Sequence, residues 1–571
     1  MPSIDLTGEA TQLRLTHVGD GMSPNSVLAP CINVETVDAD TDLGSQVRRT
    51  ICPVDLVIPA PDMICGFFAV PEERDDPNSR LIQVAVGLVQ GSGEFSDPVF
   101  YLEGGPGGAP LAFSGAIIGA GLGEMSGGRD MVFIDQRGTG YSEPALVCPP
   151  TDDLENAGRI CFEAKTAEGI QLSSYTSVEN AQDVADLRIA LGYDEYNLYG
   201  GSYGTELGLT IMRDRPEQIR SSVLDSVLPP VVNPIIDQGV GQVKALDDMV
   251  TRCAADADCA PSIPDLQSDI NAAFANLAAE PVPLSEAVMG ITGFDSLGPA
   301  ELMFVLQIFQ GDPTTPALAH ALADPDPAVR AGAFERQVEL VLARELEDLR
   351  EALAGPEGPP TEAEVEMMMR ASFGVPGPGS SFADGFFLTV ICAEEQPFID
   401  LGGATEVRPD SGWSDLVLGI ALSTQVVDCN GFPVDAEADI VTEPVVSDIP
   451  SLVLLSNTDA QTVPEWSRIA AETLSNGQLF EFPDVAHVVA LSHPCPTSIT
   501  AQFIADPGAA IDASCIDDMP TIDYLPELPE SPGSIEEIVA QIDELLGAGP
   551  PPSDDGGEPP SDDGETDPAV A

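Results

Sequence analysis

Residues 196–212 read YNLYGGSYGTELGLTIM, and the succession of residue types in this stretch decides how the chain folds. Tyr196 to Tyr199 is a short apolar and aromatic run of strand character, Gly200 to Gly204 is the pentapeptide GGSYG, and Thr205 to Met212 has helical character. G-x-S-x-G between a strand and a helix is the elbow that holds a serine out on a tight turn. A serine hydroxyl is a poor nucleophile, so a base must reach it, and the flanking glycines let neighbouring backbone pass without a Cβ in the way. Ser202 is therefore the candidate nucleophile. In a chain with 53 glycines the pentapeptide alone is matched by a plain loop turn, so the assignment depends on partners elsewhere.

Those partners follow in the order Ser, Asp, His. Ser451 to Leu455 (SLVLL) reads as a buried parallel strand ending in Asn457-Thr458-Asp459, which places Asp459 at the carboxyl edge of the sheet. Leu479 to Phe482 reads as the next strand, followed by Pro483-Asp484-Val485-Ala486-His487. In this arrangement His487 takes the Ser202 proton and returns it to the leaving group, while Asp459 fixes the imidazole tautomer and stabilises its charged form. The chain has four histidines, His17, His320, His487 and His493. His493 is the rival base, but it stands before Pro494 and further from the strand end.

Pro98 to Leu102 (PVFYL) reads as a strand running into Glu103-Gly104-Gly105-Pro106-Gly107-Gly108. Glycines there free backbone N–H groups to point at a substrate oxygen, so the loop supplies half of an oxyanion hole, with Gly105 as the donor and the N–H of Tyr203 as the other half. The absence of a GK[ST] ending argues against a phosphate-binding loop.

The strings LEGGPGG (102–108), DMVFIDQRGTGYSEP (130–144), GGSYG (200–204), NTDAQTVPEW (457–466) and AHVVALSHPCPTSITAQFIADPGAAIDASC (486–515) resemble the tripeptidyl aminopeptidase and proline iminopeptidase family of serine peptidases. The resemblance runs from about Cys52 to Cys515. It implies the α/β-hydrolase fold, a mostly parallel, doubly wound sheet with an inserted helical cap, and action on peptides from the free N-terminus. The chain departs from the family at Glu103, where His or Gln is frequent, and at NTDAQTVPEW, where a D-P-x-T-P pattern is usual. Neither removes a catalytic group; both bear on substrate preference.

A chain of 571 residues, 43% hydrophobic, buries a hydrolase core and a second unit, since single cores stop growing near roughly 250–300 residues. The long stretch between Ser202 and Asp459 holds the insertion. From Pro229-Pro230 to about residue 440 the chain is helical and punctuated by proline, and Ala328 to Ala354 carries Phe334, Val338, Leu342, Leu346, Leu349 and Leu353 at helical spacing. The expected division is an N-terminal extension (1–50), core (51–230), cap (231–440), core (441–525), and a short helix with an acidic tail (526–571). In the cap, Met367-Met368-Met369 is read as packing rather than a substrate surface. Thr389 to Glu395 is an apolar run ending in two carboxylates, and Glu394 is the candidate anchor for a substrate ammonium, an acid the family resemblance supports here. Two exposed acids among 94 is the competing reading.

Ten of eleven cysteines fall into sequential pairs, Cys52/Cys65, Cys148/Cys161, Cys253/Cys259, Cys392/Cys429 and Cys495/Cys515, leaving Cys31. No CxxC occurs and histidines are sparse, so disulfides are expected rather than a metal, and no cofactor. That points to an oxidising, extracellular or cell-envelope location. Residues 1–30 carry no signal-peptide pattern, so a processed or mis-started N-terminus is expected. No apolar run is long enough to span a membrane.

The formal net charge is −72, from 94 acidic and 22 basic residues, with Lys165 and Lys244 the two lysines. Such a chain repels nucleic acid and anionic lipid. It suits a salt-rich medium, the alternative being an acidic surface that draws in cationic peptides. Ser534 to Leu546 reads as a short helix with a capping box, Ser534 and Glu537, and apolar Ile535, Ile538, Val539, Ile542 and Leu546, and beyond it the Pro, Asp and Gly near-repeat reads as a disordered tail or the remnant of a linker. Two further functions share the sequence features: an esterase using the same triad, and a non-catalytic binding protein on a hydrolase scaffold, which complete retention of Ser202, Asp459 and His487 disfavours.

Overall fold

The computed structural model describes residues 47–49, 52, 60, 62–93, 95–151, 153, 156–309, 311–354, 382–399, 429–485 and 487–546. Its strands are β1 (Val47–Arg49), β2 (Ile64–Pro71), β3 (Leu81–Val89), β4 (Val99–Leu102), β5 (Met131–Asp135), β6 (Tyr196–Gly201), β7 (Ile219–Asp225), β8 (Val282–Pro283), β9 (Ser296–Leu297), β10 (Ser451–Ser456) and β11 (Gly477–Phe482). Nine make one sheet in the order β1-β2-β3-β5-β4-β6-β7-β10-β11, and β8 pairs with β9 separately. From β5 to β11 neighbours are parallel, while β1, β2, β3 and β5 pair antiparallel in succession.

The parallel strands are near-continuous apolar runs because helices cover both of their faces. Every residue of β4, β5, β6 and β10 is buried, whereas β11, at the sheet edge, is largely open. Register brings the carboxyl ends level: Leu102 pairs with Gly200, Gly201 with Asp225, Leu454 with Asp225, and Ser456 with Phe482. The loops carrying Glu103, Ser202, Ser226, Asp459 and His487 therefore leave the sheet along one edge, where open α/β sheets build their sites.

One core packs the sheet against the helices Ser177–Leu191 and Tyr203–Asp214, and a second packs its other face against Pro494–Ala505. A third belongs to the helices Pro234–Ala255, Leu266–Ala279, Pro299–Ile308, Thr315–Leu322 and Pro327–Ala354, centred on Phe274, Leu318, Phe334, Val338 and Leu342. The periodic run from 328 is thus a helix with its apolar stripe inward, although the side chains of Leu349 and Leu353 lie outside the described residues, as do Met367 to Met369 and Cys31.

Two segments cross the expected divisions. Asp384–Val390 sends Phe386 and Val390 into the sheet's core rather than the helical unit's, and the C-terminal helix Ile535–Leu546 sends Ile535, Ile538 and Ile542 into the helical unit. The capping box is present, Ser534 Oγ accepting from Glu537 N at 3.3 Å and Glu537 Oε2 from Ser534 N at 3.1 Å. The chain leading to that helix straps the two units: Asp484 accepts from Ile522 N at 2.7 Å and pairs with Arg252 at 2.7 Å. All five expected cysteine pairs are disulfides. No helix among the described residues is long and apolar enough to cross a membrane.

Candidate active site

Ser202 sits between β6 and the helix Tyr203–Asp214 with φ 56° and ψ −129°, a conformation that L-residues avoid and that tight functional turns impose. Its glycines are sterically required. A Cβ on Gly200 would lie 2.3 Å from the Gly204 carbonyl oxygen, and one on Gly204 would lie 2.1 Å from the Leu102 oxygen. The turn is pinned by Ser202 N donating to Asp225 O at 3.0 Å and by Thr205 N and Oγ1 donating to Ser202 O at 2.9 and 2.6 Å.

Asp459 and His487 meet as expected, Nδ1 to Oδ2 at 2.7 Å. Asp459 is buried, and its Oδ1 accepts from Gln461 N at 2.9 Å and Thr462 N at 3.0 Å, while Oδ2 accepts from Thr462 Oγ1 at 2.9 Å. Burial pushes its carboxyl up, but the His487 charge and these hydrogen bonds outweigh it and hold Asp459 below the usual aspartate range. For His487 burial opposes protonation, yet Asp459, and behind it the charge of Asp225, raise the imidazole above its ordinary value. Val488 packs where a Cβ on Gly201 would approach it to 3.1 Å, so the histidine loop lies against the elbow.

His493 has another task. It precedes the helix Pro494–Ala505, and its Nδ1 accepts from Cys495 N at 3.1 Å as a helix cap.

The glycine loop also lies against Ser202, since a Cβ on Gly104 would stand 3.1 Å from the serine Cβ. The Gly104 amide donates to Glu103 Oε1 at 3.0 Å, which leaves Gly105, exposed and at φ 117°, as the next amide along the loop. Tyr203 heads its helix, where a backbone N–H has no acceptor within the helix. Burial raises the Glu103 carboxyl, partly offset by the Gly104 amide and the Tyr101 hydroxyl.

Glu394 is buried, and its Oε1 accepts from Ser177 N at 2.6 Å at the start of the helix Ser177–Leu191. Ser177 Oγ in turn bonds the Tyr203 hydroxyl at 2.7 Å. Glu206, one turn beyond Ser202, and Glu395 are buried in the same place. Burial pushes Glu394 up to about 7. It also pushes Glu206 and Glu395 well above the usual range, and repulsion from neighbouring acids adds to the effect. The exposed-acid reading of Glu394 is thereby corrected: these are interior carboxylates. Sequence reasoning missed Glu206, Thr462, Asp225 and Ser226. Among the described residues no group of three His, Cys, Asp or Glu side chains is arranged to hold a metal ion.

The fold and this edge of the sheet define a class: the chain has the α/β-hydrolase fold, and the model of that fold matches residues 97–319. A second match, to the TAP-like protein family over residues 415–515, covers the stretch that carries Asp459 and His487 and upholds the resemblance to the tripeptidyl aminopeptidases. The chain is 26% identical over 263 residues to the serine protease Hip1 of Mycobacterium tuberculosis, covering 41% of this chain and 50% of that one. It is 29% identical over 291 residues to a tripeptidyl aminopeptidase of Streptomyces lividans, covering 45% and 51%. To carboxylesterase B of Mycobacterium tuberculosis it is 30% identical over 221 residues, covering 34% and 42%. The chain spans about half the length of the curated relatives it matches.

Proposed function

We propose that the chain is an exported serine exopeptidase that cleaves peptides from the free N-terminus through an acyl-enzyme on Ser202. The observation that carries the chemistry is the His487–Asp459 pair at 2.7 Å on the loop packed against the strained serine elbow. With Nδ1 engaged by Asp459, Nε2 of His487 is the nitrogen that takes the Ser202 proton and hands it to the leaving amine. The amides of Gly105 and Tyr203 receive the negative charge that develops on the substrate carbonyl oxygen.

The interior carboxylates support the exopeptidase reading. Glu394, with Glu206 and Glu395 beside it, lies under Tyr203, the residue next to the nucleophile. Burial, with repulsion from neighbouring acids, makes full ionisation of all three costly, and a substrate ammonium relieves it, so binding a free N-terminus is rewarded and a blocked one is not. Five disulfides support export, because such bridges persist in oxidising compartments. The helical unit serves as a cap. Its Gln307 side chain donates to Ala460 O at 3.3 Å, beside Asp459, and Val463 Cγ1 occupies the space a Cβ on Gly241 would take. The core takes in 51–230, 441–525 and the helix Asp384–Val390, and the cap is drawn from the rest of 231–440.

A panel of aminoacyl, tripeptidyl and N-blocked chromogenic amides beside short acyl esters tests the proposal. Turnover of free-amine peptides with loss on N-blocking is expected. Preference for the esters would replace it with the carboxylesterase reading.

A further inference from the structure

Asp225 ends β7 next to the nucleophile strand, is fully buried, and holds two loops at once. Its carbonyl oxygen accepts from Ser202 N at 3.0 Å. Its carboxylate reaches the histidine loop, Oδ1 accepting from Val489 N at 2.9 Å and Oδ2 from Ala490 N at 2.9 Å. The Tyr199 hydroxyl of β6 donates to the same Oδ2 at 2.7 Å. The next residue continues the grip, Ser226 Oγ accepting from Val488 N at 2.9 Å. Three successive amides following His487 are thus held by two adjacent side chains from the end of one buried strand.

We propose that Asp225, assisted by Ser226, is a positioning residue that holds the loop after His487 so that its imidazole stays aligned with Ser202. This rests on the reading of His487 as the base. Backbone strain at the grip argues the same way. Val488 has φ 62° and Ser226 φ 60°, and a β-branched residue in the left-handed region persists where its surroundings over-determine it. Without the acceptors on Asp225 and Ser226, Val488 would relax toward negative φ and turn the neighbouring His487 away from the elbow. The choice of aspartate is also specific. Two N–H groups arrive at two different oxygens, a pattern a carboxylate matches and a carboxamide does not, since an amide nitrogen would face an amide proton.

A second consequence separates positioning from mere scaffolding. Burial raises the Asp225 carboxyl to about 6, and above that pH the ionised carboxylate lies close enough to His487 to favour its protonated form, adding to Asp459. The other titratable groups around Asp225 are Tyr199 on β6 and Tyr101 on β4, with Glu103 at the end of β4 acting on both tyrosines. None of these carries a positive charge near neutrality, so removing the Asp225 charge should lower the pKa of the base.

The experiment follows the rate at which a fluorophosphonate labels Ser202 across pH 5–9 in the full chain, for wild type, Asp225→Asn and Ser226→Ala, with thermal melts of each. Labelling needs the base but no particular substrate class. Asp225→Asn is expected to label roughly 10–100-fold more slowly at pH 8, with the acid limb displaced to lower pH, and Ser226→Ala about threefold more slowly. A folded Asp225→Asn protein that labels at the wild-type rate with an unmoved acid limb overturns the inference. Should that variant fail to fold, Ser226→Ala decides, and a wild-type rate there overturns it equally. Wild type that takes no label at Ser202 would instead overturn the serine-hydrolase reading, and the inference with it.

Discussion

At the scale of single residues, the elbow imposes the sharpest steric demand. Gly204→Ala should cost on the order of 3 kcal/mol or prevent folding, because the new Cβ would stand 2.1 Å from a backbone oxygen of β4 that has no room to yield. Denaturant titration measures this directly. Ser202→Ala should leave the melting curve intact while lowering turnover by about 10⁴-fold or more, and His487→Ala should match it, since residues that act as a unit fail together. His493→Ala should retain most activity and lose some stability, as befits a helix cap. Ser202, Asp459 and His487 were legible in the sequence because each follows a recognisable strand end. Asp225, Ser226 and Thr462 were not. Val489 N and Asp225 are 264 residues apart, and a bond from a side chain to so distant an amide leaves no local pattern.

Among elements, the runs that became β4, β6, β10 and β11 announced themselves, each running into a loop that carries a candidate site residue. β2 and β3, with the sequences ICGFFAVP and LIQVAVGLV, carry no such loop, and their antiparallel pairing to the front of the sheet has no signature within either run. β5 lay inside a quoted motif, yet its five buried residues went unread as a strand. The C-terminal helix was legible from its capping box, but not its docking, which depends on a partner face that forms only when the helical unit folds. Its energetics give a prediction: Ile538→Ala should destabilise the protein by roughly 2–5 kcal/mol, as for other large-to-small changes in a packed core, and urea unfolding checks it. Reduction should also lower the melting temperature, because bridges closing loops as short as Cys253–Cys259 and Cys148–Cys161 typically contribute about 2–4 kcal/mol each.

The whole molecule is governed by where its few cations go. Arg137 is fully buried, bonded to Asp183 and to the carbonyls of Glu72 and Ser174, and Arg330 is buried against the carbonyls of Asp324 and Pro325. With 94 acidic residues against 22 basic ones, two of the latter fully buried, the formal net charge of −72 leaves most surface carboxylates without a cationic partner. Interior acids push in the same direction. Burial raises Asp135 to about 7, Asp225 to about 6 and Glu394 to about 7. A carboxyl whose folded pKa lies above its unfolded value binds its proton more tightly when folded. Stability is therefore lost as pH rises from the unfolded values near 4 through the folded values of 6–7. Asp183 and Asp459 run the opposite way, but their gain is complete once pH passes the ordinary aspartate range. The melting temperature at low salt should accordingly be higher at pH 5 than at pH 8. Molar sodium chloride should raise it at both, and more at pH 8, because the screening length falls to about 3 Å at 1 M and surface repulsion is greatest when every carboxylate is charged. Thermal scans on a grid of pH and salt separate the two sources. The part of the pH 5 to pH 8 loss that survives in molar salt belongs to the interior acids, and the part that vanishes belongs to the surface. A protein most stable in salt-free buffer at pH 8 would contradict both.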